Sequence, residues 1–125
     1  MTPAQHWRDR LRESLLSARK SRDTISTAAI RSALSAIDNA ETPRADQTDT
    51  RIGGSIAGAV SGVGSTEVAR RALSDAEIRG LIQAEVDERL TAADEYNANG
   101  HHERASDLRS QAAVLSQTLC SVDRR

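Results

Sequence analysis

The sequence predicts an all-α chain, and three observations carry that expectation. Aromatic residues are nearly absent, with one Trp, one Tyr and no Phe among 125 residues. A core must then come from Leu, Ile, Val and abundant Ala, which suits closely packed helices better than a sheet rich in aromatic and β-branched residues. Apolar residues recur at spacings of three and four in four separate stretches. Two of those stretches open on a capping-box pattern, the local signature of a helix start. A chain of this length is expected to form a single domain over residues 1–125.

The first helix is expected over about residues 3–20. Thr2-Pro3-Ala4-Gln5 has the capping-box form, with Pro where its missing amide costs nothing. Its apolar face is Trp7, Leu11, Leu15 and Ala18, and Trp7 reads as a core anchor. Arg8, Asp9, Arg10 and Arg12 are expected to point elsewhere. The turn that follows, Arg19-Lys20-Ser21-Arg22-Asp23, is short and basic, and Asp23 or Thr24 can cap the next helix. That second helix, about 24–40, buries Ile30, Ala33, Leu34 and Ile37, while Ala28 and Ala29 permit close approach. Arg31 falls on the flank of this stripe. The first two helices are expected to form an antiparallel hairpin.

From Thr42 to Leu73 the periodicity collapses. Pro43 stops the helix, and Gly53, Gly54, Gly58, Gly62 and Gly64 punctuate an apolar, small-residue stretch. A flexible insert over about 42–73 is expected, with disorder favoured by composition and docking of Ile52–Val63 onto a partner kept as the alternative. Gly62-Val63-Gly64-Ser65-Thr66 lacks the Lys of a phosphate-cradling loop and follows no strand, so it is not read as one.

The third helix, about 75–99, is the most fully punctuated. Ser74-Asp75-Ala76-Glu77 is a capping box, and Gly100 supplies a residue able to take the left-handed conformation that ends helices. Ile78, Leu81, Ile82, Val86, Ala93 and Tyr96 share one side, over a length of roughly 35 Å at 1.5 Å per residue. Glu85 and Arg89 lie within that stripe, four residues apart, where they should pair. Buried, such a pair must be fully satisfied or it destabilises. It is either a structural ion pair or a feature that faces a partner. A fourth helix, about 103–122, has a clean stripe of Ala105, Leu108, Ala112, Leu115, Leu119 and Val122. The second pair of helices completes a domain of two hairpins.

Several function classes lose support on composition. Net charge is −1, spread as +2 over residues 1–41, +1 over 42–73 and −4 over 74–125. This asymmetry is much milder than the basic stripe of a dedicated nucleic-acid binder, and no DNA partner is expected. Cys120 stands alone, which excludes an internal disulfide; beside a core position it reads as a small packing residue. His101 and His102 are adjacent and lack a third ligand at metal spacing, so they read as a solvated turn, and no metal or cofactor is expected. The amino-terminal segment has no apolar run of signal type and no stretch long enough to span a bilayer, so a cytoplasmic location without membrane contact is expected. No catalytic residue set emerges.

Two segments, read together, resemble the GatB/YqeY family. Ser21 to Glu41, SRDTISTAAIRSALSAIDNAE, is similar to the pattern A-R-D-x-x-R-x-x-T-L-R-x-L-L-x-A-I-K-N-A-E, with Arg22, Asp23, Arg31, Ala36, Ile37, Asn39 and Glu41 matching. Leu73 to Ala105 resembles L-[ST]-D-E-E-[VI]-x-x-[VI]-[IL]-x-K-E-[IV]-x-x-R-x-x-[SA]-x-x-x-[FY]-x-x-[AN]-G-R-x-[DE]-L-A, with Glu85, Arg89, Tyr96 and Gly100 on its positions. Ser26 and Asp38 stand where that pattern carries Arg and Lys, and the insert is longer than the family's usual link. The chain ends at Arg125, so it is expected to be a short form without the family's second small helical bundle.

The resemblance implies an all-helical domain related to the tail of GatB in the glutamine-dependent aspartyl/glutamyl-tRNA amidotransferase, a carbon–nitrogen ligase in which that tail contacts tRNA and is not the catalytic centre. A non-catalytic accessory role follows, with tRNA, an amidotransferase or another protein as partner. Arg19, Lys20, Arg22 and Arg31 are the phosphate-contact candidates, since the basic turn and the resemblance coincide there. Asn39, Glu85, Arg89, Tyr96 and Gly100 are family positions without an assigned role. A rival reading is a helical protein-interaction module with no nucleic-acid role, favoured by the acidic second half. Amide transfer in its own right would need a nucleophile and a nucleotide and metal site, neither of which is legible.

Overall fold

The computed structural model describes residues 1–43 and 71–123. Within them lie four helices: α1, Pro3–Lys20; α2, Thr24–Glu41; α3, Asp75–Ala98; and α4, His102–Asp123. There is no strand among the described residues. The ends follow the local signals closely, because caps act within a single turn. Thr2 and Gln5 close both arms of a capping box, at 3.2 and 3.0 Å, as do Ser74 and Glu77, at 3.1 and 2.9 Å. Asp23 caps α2 by accepting from the Ser26 amide at 3.0 Å.

Trp7, Leu11, Ile30, Ile37, Ile78, Ile82 and Leu115 are fully buried, and Ala29 and Ala33 between them keep the helices close. Both α2 and α3 pack against all three other helices, and the most extensive contact joins α3 to α4. Trp7 is the anchor its position implied. Its indole Nε1 donates to Asp75 Oδ1 at 2.8 Å, and the Arg79 guanidinium lies 5.2 Å from the ring centroid. The start of α1 is thereby fastened to the start of α3.

Arg8, expected off the apolar face of α1, does not extend into solvent. Its side chain is only 14% exposed and bridges Asp38, at 2.6 Å, and Glu41, the one buried charged residue among those described. It borders the seam between α1 and α2, and its long stem reaches across to the end of α2. The hydrogen bond to Glu41, with the one to Asp38 adding to it, holds the Arg8 guanidinium protonated even more firmly than usual.

Tyr96 also departs from its expected place in the buried stripe, since it is 36% exposed. Beyond Val86 the contact between α3 and α4 is closed by Ala93 and Ala105, both fully buried. Such small residues leave the larger ring at the edge. Cys120 is exposed rather than packed, because Leu119 takes the inward position and the next residue is turned about 100° around the helix.

Leu73 was expected at the end of the insert but is 5% exposed and belongs to the core. Just before it, the Arg71 amide donates to the Glu41 carbonyl at 2.8 Å, which brings the end of α2 to the entry of α3. The remaining readings on the insert, including Gly62–Thr66 and Ile52–Val63, fall outside the described residues.

Candidate nucleic-acid interface

The turn between α1 and α2 positions the basic residues. Ser21 is the C-cap of α1. The Arg22 amide donates to the Arg19 carbonyl at 3.1 Å and the Asp23 amide to the Ala18 carbonyl at 2.8 Å. This is the Schellman pattern, and it places its key residue in the left-handed region, where glycine is usual. Here that residue is Arg22, with φ 60°. Immediately afterwards Asp23 returns to extended backbone and starts α2.

Thr24, Thr27, Ala28 and Arg31 follow at i, i+3, i+4 and i+7, so they share one face of α2. With Arg19 and Arg22 they line an open basin of about 520 Å³. The structure therefore brings together three of the four predicted phosphate contacts. Lys20 is exposed in the last turn of α1 but does not line the basin. None of Arg19, Arg22 and Arg31 has an acidic partner among the described residues. The basin thus collects three uncompensated positive charges over a floor of methyl groups and two threonine hydroxyls, which is the chemistry of an anion site.

Asp23 stands beside this basin without neutralising it. Its carboxylate faces the amino end of α2, where it accepts from the Ser26 amide at 3.0 Å and the Ser26 hydroxyl at 2.7 Å. Those bonds, the backbone one first, hold its pKa below the usual carboxylate value. Because Asp23 occupies the amides of the helix start, any anion in the basin would be held by guanidinium groups instead.

A second concavity lies on the other side of the same turn. It measures about 380 Å³ and runs between the α1–α2 turn and the last turns of α4. Hydroxyl groups from all three helices line it over a floor of Ala18, Ile30 and Val114. Sequence reasoning missed this groove. Thr24, Thr27 and Ala28 could have been found from their spacing to Arg31, but the groove joins residues about a hundred positions apart and has no local signal.

The five positions of the resemblance without an assigned role do not line the basin. Glu85 and Arg89 do pair, at 2.8 Å, and are 19% and 14% exposed. Ser32 of α2 donates to Glu85 Oε1 at 2.6 Å, while Arg89 Nε donates to Gln111 Oε1 of α4 at 2.9 Å. The pair is therefore the centre of a polar network joining α2, α3 and α4, and neither residue lines the basin. Gly100, with φ 86°, ends α3 through a second Schellman turn. Tyr96 meets the His101 ring edge-on at 6.0 Å and carries Arg104 over its face at 5.3 Å. Asn39 is exposed near the end of α2.

His101 and His102 are both exposed, and His102 Nδ1 shares a hydrogen bond with Asn97 Oδ1. Among the described residues no group of three His, Cys, Asp or Glu is placed to hold a metal ion. No helix among them is long and apolar enough to cross a membrane. Compared with protein-family models, curated proteins and solved structures, the chain matches none.

Proposed function

We propose that this chain is a non-catalytic accessory protein of GatB/YqeY type, built as two antiparallel helical hairpins around an insert and acting in the cytoplasm, and that it holds tRNA through the basin at the first hairpin turn. The observation that carries this reading is the convergence of Arg19, Arg22 and Arg31 on one concavity with no acidic partner among the described residues. Both Arg22 and Arg31 are positions where the sequence resembles that family. Guanidinium groups match phosphate oxygens in planar, bidentate fashion, so three free ones on a surface of otherwise mild charge select a phosphate-bearing partner. Phosphate contacts of this kind position a nucleic acid without reading its sequence.

Titration of labelled tRNA with the purified protein tests the reading. Binding at low salt is expected, with log K falling against log salt at a slope of about 2 to 3 for three phosphates. An Arg22→Glu/Arg31→Glu variant should bind much more weakly. Absence of binding at low salt, or unchanged binding in that variant, defeats the proposal.

The rival reading, a protein-interaction module, draws on Leu16, which is 57% exposed on α1, and Leu90, 43% exposed on α3. Co-migration with a protein partner, lost in a Leu16→Glu variant and accompanied by no tRNA binding, would favour it.

A further inference from the structure

The basin and the hydroxyl groove flank a single turn, and their chemistry is complementary. Arg22 faces the basin, while its neighbours Ser21 and Asp23 line the groove. Along α2 the two surfaces alternate, with Thr27 and Arg31 on one and Ser26 and Ile30 on the other. Consecutive helix positions differ by about 100°, so the two faces adjoin. A polymeric ligand seated in the basin can therefore reach over the groove.

The hydrogen-bonding state of the groove decides what it can accept. Ser21 donates its hydroxyl proton to the Ala18 carbonyl at 3.2 Å and Ser26 donates to Asp23 at 2.7 Å. Thr118 donates to the Val114 carbonyl at 3.0 Å and Ser121 to the Thr118 carbonyl at 3.1 Å. A hydroxyl that donates to a carbonyl or carboxylate keeps its lone pairs for a ligand. These four oxygens and the ionised Asp23 therefore present lone pairs to the groove, which would repel a phosphate and welcome a donor. The side chains of Ser14, Ser17 and Gln117 have no hydrogen-bond partner among the described residues and remain able to donate as well as accept. The groove is thus suited to a neutral group that both gives and takes a hydrogen bond, immediately beside a site suited to phosphate.

A ribonucleotide chain presents phosphate and hydroxyl side by side, and its 2′-hydroxyl is both donor and acceptor. We infer that the hydroxyl groove reads the ribose 2′-hydroxyl groups next to the phosphates held in the basin, and so makes the site selective for RNA over DNA. The inference rests on the proposed role of the basin and adds the choice of sugar to it. No aromatic residue lines either surface, so there is no platform for stacking bases and the selection is independent of base sequence.

The test compares three hairpins of one sequence in a low-salt binding titration: RNA, DNA, and RNA carrying 2′-fluoro in place of every 2′-hydroxyl. The fluoro form keeps the A-type helix but loses the donor, which separates reading of the hydroxyl from reading of helix shape. RNA is expected to bind about tenfold more tightly than either analogue, the discrimination that one or two net hydrogen bonds supply. A Ser14→Ala/Ser17→Ala/Gln117→Ala variant should bring the RNA-to-fluoro ratio toward one. All three positions lie on helix surfaces, and far-ultraviolet circular dichroism checks that the variant is folded. Equal affinity for RNA and 2′-fluoro RNA, or an unchanged ratio in the variant, overturns the inference while leaving the basin reading intact. Binding to none of the three hairpins overturns both.

Discussion

Arg22 and Gly100 occupy the same place in two Schellman turns, with φ of 60° and 86°. In the second turn the Gly100 amide donates to the Asn97 carbonyl at 3.1 Å and the His101 amide to the Tyr96 carbonyl at 2.8 Å, repeating the bonds around Arg22. The α3–α4 turn uses the residue that adopts this backbone freely, whereas the α1–α2 turn uses one that does not. A side chain at the left-handed position costs about 1 kcal/mol or more. That cost marks Arg22 as a place where local stability and the basin pull in different directions.

Replacing Arg22 by Gly should therefore stabilise the fold. Relief of strain is partly offset by the greater freedom of glycine in the unfolded chain, leaving a net gain of about 0.5 kcal/mol, or roughly 2–4 °C in Tm. Phosphate binding should weaken in the same variant. Gly100→Ala should act oppositely and lose about 1 kcal/mol. Beyond its chain neighbours no atom lies within 4 Å of an added Cβ at Gly100, so no steric clash adds to the backbone strain there. Thermal denaturation of both variants checks the pair.

Loss of Arg89 should destabilise the bundle without touching the basin. Arg89→Met removes the partner of Glu85 and the donor to Gln111 in a site that is mostly shielded from water. A cost of about 2 kcal/mol is expected, below that of a fully buried pair because both side chains keep some solvent contact. The double variant Glu85→Gln/Arg89→Met should recover part of the loss, since it leaves no unpaired charge. Urea denaturation measures both, and tRNA affinity should be unchanged in folded protein.

Acid should loosen the α1–α3 junction. Hydrogen bonds from Arg79 first, and then from Trp7, hold the Asp75 carboxyl below its ordinary 3.8. Folding thus favours the ionised form; its contribution is complete above 3.8 and is lost as pH falls through the depressed folded value. Glu77, whose carboxylate accepts from the Ser74 amide, is lowered from 4.5 and adds to the trend in the same direction. The thermal midpoint, followed by emission of the single tryptophan, should drop as pH is lowered from about 5 to 2. Asp75→Asn should start lower and fall less steeply.

Leu73 should behave as a core residue despite its position at the end of the insert. Its place in the buried cluster predicts a loss of about 2–3 kcal/mol for Leu73→Ala. A surface loop residue would cost almost nothing, so equilibrium unfolding separates the two cases.

The chain by itself determined the four helices and most of their buried faces. Capping boxes at Thr2 and Ser74, Pro3 in the first turn and apolar spacings of three and four are properties of neighbouring residues, so they are legible without a fold. The pairing of Glu85 with Arg89 was legible for the same reason, since four residues along a helix fix their separation. Only the tertiary structure decided which charges are spent. Arg8 and Arg22 both read as cations off a buried stripe, yet Arg8 meets Asp38 and Glu41 across the α1–α2 seam and Arg22 meets no acid among the described residues. The same holds for Leu73, which looks like loop until the packed helices cover it. Whether a cation is neutralised, a leucine covered or a row of hydroxyls gathered into a groove depends on what the packing of distant segments brings within a few ångströms, and spacing along the chain carries no record of that.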